Sequence, residues 1–229
     1  MSSSDEPGTR TSATAAADGG SPFRGGEPPK PAGPAGPLRD RSGPSLIPDL
    51  FSVLVAPSAF WERPRALQGA TAKPIWIHLA VLIGLRSVAG FGGALLRHGG
   101  FGAGFGQLVS GILSSFLMVW LFAAIVASVA ATSGGRANVR DAFRFAAYGL
   151  TPMFAIGVLA VVPLPYVSPI ADLALMPYTF YVLAVGVVPA LGVSVERAPG
   201  RTGIICGALL LLWTVMPALI PLLVETLFR

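Results

Sequence analysis

Five long apolar runs separated by short polar links dominate the chain beyond residue 73, at residues 74–96, 106–131, 146–162, 170–193 and 203–223. Each is of the order of the 17–25 residues that carry a helix, at 1.5 Å per residue, across about 30 Å of hydrocarbon. The pattern predicts an all-α, polytopic membrane protein with five transmembrane helices. Pro152, Pro177, Pro189 and Pro217 fall inside the runs, and kinks of this kind are tolerated because neighbouring helices re-satisfy the freed carbonyls. Ahead of the runs, residues 46–61 are apolar but too short and too interrupted by proline to span. Leu50, Val53, Leu54, Phe60 and Trp61 could share one face, with Arg63 and Arg65 following at headgroup depth. That arrangement predicts a helix lying in the membrane interface; the other reading is a helix packed on a soluble partner.

Residues 1–45 read differently. Ser, Thr, Ala, Gly and Pro with mixed charges, and a proline-dense stretch from Glu27 to Pro37, offer too little apolar surface to offset the entropy of ordering. They are expected to form a disordered cytoplasmic tail, extended where proline is dense, ahead of a membrane domain over 46–229. Residues 1–20 lack the apolar centre of a signal peptide, so the first span is expected to target the chain.

Composition agrees with the pattern. Of 229 residues, 53% are hydrophobic and 12% charged, with a mean hydropathy of +0.68. A soluble domain carries roughly twice that share of charge, and a disordered chain could not be so apolar. Fourteen of the sixteen basic residues are Arg, which with the abundant Ala, Gly and Pro matches the coding bias of a GC-rich bacterial genome. The formal charge of +5 is spread between the apolar runs rather than gathered in a patch, so no nucleic-acid partner is expected. One cysteine, Cys206, and two histidines, His78 and His98, point to no disulfide, no metal site and no cofactor.

The charges also orient the chain. Arg63, Arg65, Lys73, Arg136, Arg140, Arg144, Arg197 and Arg201 fall on one side of a five-span layout, and only Arg97 and Arg229 on the other. Eight against two places the N-terminus in the cytoplasm and the C-terminus outside, in a bacterial inner membrane.

Arg86 is the most unusual single position. Mid-span it would cost about 2.5–3.5 kcal/mol on insertion scales, and would need a partner facing the bundle interior. Glycines at 90, 92 and 93 favour a helix that stops near Val88 instead, leaving Arg86 to snorkel from the last turn. His78, near the cytoplasmic end of the same run, is expected at the wet interface. Gly99–Gly106 reads as a flexible external turn, and Asp172 as a carboxylate at the positive end of a helix dipole. Gly203 and Gly207, and the row Ala123, Ala127 and Ala131, would let helices approach closely within the monomer or between copies. No Ser–His pair at one depth, no paired intramembrane aspartates and no His-Glu-x-x-His occur, so no enzyme activity is expected.

Several of these features together resemble the Yip1-domain family. Residues 50–61 are similar to the family's lead segment, in which a proline precedes an aromatic shortly before the first span. Residues 138–152 resemble a short lead-in helix running into an Ala-Tyr-x-x-x-Pro pattern, here Ala147, Tyr148 and Pro152, with the next apolar run closed by Pro163. Tyr178 and Tyr181 ahead of Val185-Gly186-Val187 are similar to a later aromatic-to-Gly element. The resemblance implies five spans, a cytoplasmic N-terminus and, for a bacterial member, an integral membrane protein. The lead-in helix would lie on the inner leaflet, where Arg140 and Arg144, one turn apart, each contribute around 1 kcal/mol near anionic headgroups. Two functions follow as expectations. One is a non-catalytic protein that organises membrane proteins or the bilayer, with lipids, other membrane proteins or a second copy as partners. The alternative is a small transporter or channel with a polar path near Arg86.

Overall fold

The computed structural model describes residues 46–63, 72–132, 134, 138–164 and 166–227. The tail over 1–45, Arg65, Arg136 and Arg229 lie outside these. Every regular element among the described residues is helical: α1 (Leu46–Val55), α2 (Pro57–Trp61), α3 (Ala72–His98), α4 (Phe101–Thr132), α5 (Val139–Gly149), α6 (Thr151–Ile156), a 3-10 turn (Gly157–Val161), α7 (Val167–Leu191) and α8 (Ala198–Leu227). Among the described residues, four stretches are long and apolar enough to cross a membrane: Ile75–Arg97, Phe101–Thr132, Val167–Leu191 and Ala198–Ile220. A fifth candidate is bent by 40° and joins Val139–Gly149 to Thr151–Val161. Large apolar side chains such as Val81 and Val88 on α3, Leu113 and Trp120 on α4, and Leu211 on α8 face outward. Such a surface suits lipid rather than water.

Local chemistry explains the breaks. Asn138 caps α5 by accepting from the Asp141 backbone N–H at 2.9 Å, while the Asp141 carboxylate accepts from the Asn138 N–H. This reciprocal box fixes the start of α5. Pro152 has no N–H to donate and its ring would crowd the carbonyl four residues back, so it sits in the first turn of a new helix instead. The lead-in helix and the third apolar run are therefore one bent unit with its corner at Leu150, not a surface helix followed by a straight span over 146–162.

Two glycine readings change. Helix α3 passes through Gly90, Gly92 and Gly93 without stopping and runs to His98. The glycines act as a packing surface: a Cβ on Gly93 would collide with the Ala160 carbonyl of the 3-10 turn. Likewise only Gly99 and Gly100 separate α3 from α4, and Phe101–Gly106 is already helical. Gly99 takes φ +63°, a left-handed cap that a side chain would strain. Gly93 thus sets how closely the bent unit docks. Gly93→Ala is expected to lower stability by about 1–3 kcal/mol, whereas Gly84→Ala, which meets open space, should be neutral or gain up to about 1 kcal/mol. Thermal melting of both variants in mild detergent checks this.

The α1–α2 segment also departs from expectation. Val53, Phe60 and Trp61 are buried in the main core, so the apolar face meets the helical body rather than the membrane interface. Trp61 donates from Nε1 to the Val182 carbonyl at 3.1 Å, and a Cβ on Gly186 would meet its indole ring at 2.7 Å. Tyr178 donates its hydroxyl to the Leu54 carbonyl, which ties α1 to α7.

Candidate functional site

Arg86 lies in the middle of α3, not in its last turn. Its guanidinium makes a forked pair with Asp172 of α7: Nη2 to Oδ2 at 2.8 Å and Nη1 to Oδ1 at 3.3 Å. Nη1 also donates to the Met153 carbonyl at 2.9 Å, where α6 has just begun. The Asp172 side chain is 6% exposed and that of Arg86 26%, so the carboxylate is enclosed while the arginine side chain is only partly covered. Two parallel charge-assisted bonds fix direction as well as distance.

Why these two residues meet is a question of depth. The bent unit runs beside α3 in the same direction: Thr151 is at His78, Met153 and Gly157 are at Arg86, and Ala160 is at Gly93. It stops there, short of the end of α3, so α7 begins its return deep in the bundle. Asp172, in the second turn of α7, then falls level with Arg86. The dipole role expected for Asp172 gives way to this pairing, since no acidic residue lies in the first turn of α7. Gly157 is part of the geometry, because a Cβ there would stand 2.6 Å from Cγ of Arg86.

The pair borders a half-open cavity of about 650 Å³. Gln107, Ser110, Ser114 and Ser115 of α4 line one wall, Ser168 and Asp172 of α7 another, and Trp213, Thr214 and Met216 of α8 a third. Arg97, near the end of α3, is also in the lining, and its Nε donates to the Gly93 carbonyl at 3.2 Å. Toward the other end of α3 the core is dry. Leu79, Leu82 and Ile83 are buried, and His78 is buried against Thr151 Oγ1 at 2.8 Å and the Tyr148 ring at a 4.8 Å centroid distance. His78 is therefore a core residue and not the wet interfacial one expected. Its signal was its spacing from Leu79, Leu82 and Ile83 on one helix face.

The remaining candidate positions separate into structural and peripheral groups. Tyr148 packs on Phe60 at 5.0 Å and Trp61 on Phe145 at 5.4 Å, closing the aromatic cluster over the corner that Pro152 creates. Tyr178 holds α1, Tyr181 is half-exposed beside it, and Pro163 lies in the exposed bend after the 3-10 turn. Arg63 is exposed, with Nη1 donating to Ser52 Oγ at 3.3 Å, and Arg140 is exposed at the start of α5; both lie at the surface. Arg144 does not, because it is 3% exposed, facing the protein beside Asp141 at 3.9 Å. Among the described residues, nothing stands within 4 Å of where a Cβ on Gly203 or Gly207 would lie. Of the alanine row only Ala123 is buried in the core. Among the described residues no group of His, Cys, Asp and Glu could hold a metal ion.

A forked pair that shields both charges makes each half dependent on the other. Arg86→Ala or Asp172→Ala alone should cost about 3–5 kcal/mol, while the double change Arg86→Met with Asp172→Leu should recover most of it. Chemical denaturation of the wild type, the two single variants and the double variant in detergent measures both the cost and the recovery.

Compared with known families, the chain matches the sequence model of the Yip1 domain over residues 51–216. No curated protein and no solved structure matches it.

Proposed function

The chain belongs to the Yip1-domain family and is an integral membrane protein, and from that premise we propose that it is a non-catalytic, five-span protein of transporter type. In this reading the cavity beside Arg86 receives a polar or amphiphilic solute. The observation that carries it is a paired arginine on the wall of a cavity that Gln107 and four serines also line, in the middle of a candidate span. Intramembrane charges are expensive, and where they line a cavity they commonly mark the route of a solute. The buried core around His78 and Leu79 closes the other end, which favours a one-mouthed binding site over a continuous channel. In this reading the bent unit is one pass, making five spans, and the distribution of arginines puts the N-terminus in the cytoplasm and the C-terminus outside. The unit's parallel course beside α3 supports that count.

The open glycine face of α8 favours a second reading, in which the protein organises other membrane proteins or a second copy. Gly203 and Gly207 leave the backbone free for close helix approach, and the α8 span is the least buried of the four, at 29%. Both functions are compatible with a bacterial inner membrane.

Two measurements test the first reading. In a Cys206→Ser background, cysteines placed at Ser110 and Ser114 should react with a water-soluble maleimide in intact membranes, and one at the outward-facing Leu113 should not. Equal silence at all three would contradict a wet cavity. A cysteine tag after Arg229 should label in intact cells; labelling only after permeabilisation would reverse the orientation.

A further inference from the structure

We propose that the cavity beside Arg86 holds the headgroup of an anionic glycerophospholipid, with the phosphate as the recognised group. The inference rests on the cavity being a ligand site and names its occupant. Among the described lining residues the charged groups are Arg86, Asp172 and Arg97. Arg86 and Asp172 cancel each other in their forked pair, which also restrains the one carboxylate that would repel an anion. Arg97 remains as an excess positive charge. Its Nε is engaged by the Gly93 carbonyl of its own helix, an arrangement that steadies the guanidinium and leaves its two terminal nitrogens as donors suited to a phosphate.

The hydroxyls add a second element of recognition. Ser110 donates to the Gln107 carbonyl, Ser114 to the Gly111 carbonyl and Thr214 to the Leu210 carbonyl. With their protons committed, these oxygens present lone pairs to the cavity and can accept from a ligand's hydroxyl groups. A phosphate carrying a polyol such as glycerol satisfies the donor and the acceptors together. The remaining wall is apolar, with Trp213, Met216 and Ile220 from α8. A small soluble anion would leave that wall unused, whereas the first methylenes of an acyl chain would cover it. A volume of about 650 Å³ accommodates a headgroup and the start of its chains but not a whole two-chain lipid. The chains must therefore continue into the bilayer through the open side, so the ligand is one that already resides there.

The test uses the full chain in lipid nanodiscs made from equal amounts of phosphatidylglycerol and phosphatidylcholine, with the lipids retained after mild detergent extraction counted by native mass spectrometry. Phosphatidylglycerol should be retained over phosphatidylcholine by about fivefold, the factor one basic residue supplies near an anionic headgroup. Arg97→Gln, an exposed position outside the ion pair, should bring the ratio close to one without changing the melting temperature. Millimolar inorganic phosphate should displace nothing. Equal retention of the two lipids by the wild-type chain, or an unchanged ratio in Arg97→Gln, would overturn the proposal. Displacement by inorganic phosphate would overturn it too, by assigning the site to a soluble anion. If the lipid preference fails while the cysteine at Ser114 stays reactive, the wet cavity of the proposed function stands and only the lipid occupant is wrong. If that cysteine is silent as well, both readings fall.

Discussion

The arrangement of this protein hinges on the requirement that a charge placed mid-membrane be matched. Arg86 cannot reach headgroups from the centre of α3, and a lone guanidinium there would cost several kcal/mol. Asp172 and the Met153 carbonyl meet that requirement, and each is supplied by a different helix of the bundle. The bent unit must be short enough for α7 to start at Arg86's depth. Gly157 must lack a side chain where the arginine crosses, and Gly93 must lack one where the 3-10 turn docks. Four separate features of the sequence are thus explained by one ion pair.

The bundle is asymmetric along its length. On the side where α3 begins, Phe60, Trp61, Phe145, Tyr148 and His78 fill the interior, and α1–α2 is drawn into that packing by the hydrogen bonds of Trp61 and Tyr178. Toward the end where α3 meets α4, serines, Gln107 and Arg97 line open volume. Close packing excludes water from the first half, while unfilled polar surface invites it into the second. The ion pair stands at the boundary. A solute entering the cavity would meet it last, and passage further would require the aromatic side to open.

Much of this was legible in the residues. Apolar run length marked out the four long helices, although α4 and α8 begin five residues ahead of their runs, whereas the third run reads as a straight span and hides the corner at Leu150. What one sequence could not supply was relative depth. Asp172 is five residues into its helix and Arg86 well into its own, so a layout of straight spans puts them at different levels. Only the short, bent α5–α6 unit brings them together. Glycine was misread for a related reason: in isolation it weakens a helix, whereas in a bundle it admits a neighbour, and Gly90–Gly93 does the second. The burial of Arg144 was hidden in the same way, because it becomes interior only once α5 packs on α4 and α7.

The most direct check is a solid-state NMR distance between the labelled Arg86 guanidinium nitrogens and the Asp172 carboxyl carbon, taken on the full chain in lipid bilayers. The account predicts strong dephasing at a separation of about 4 Å, as a forked arginine–carboxylate pair imposes. No measurable dephasing, with Arg86 reporting contact to lipid phosphate instead, would place the arginine at the headgroups and contradict both the pair and the cavity built around it.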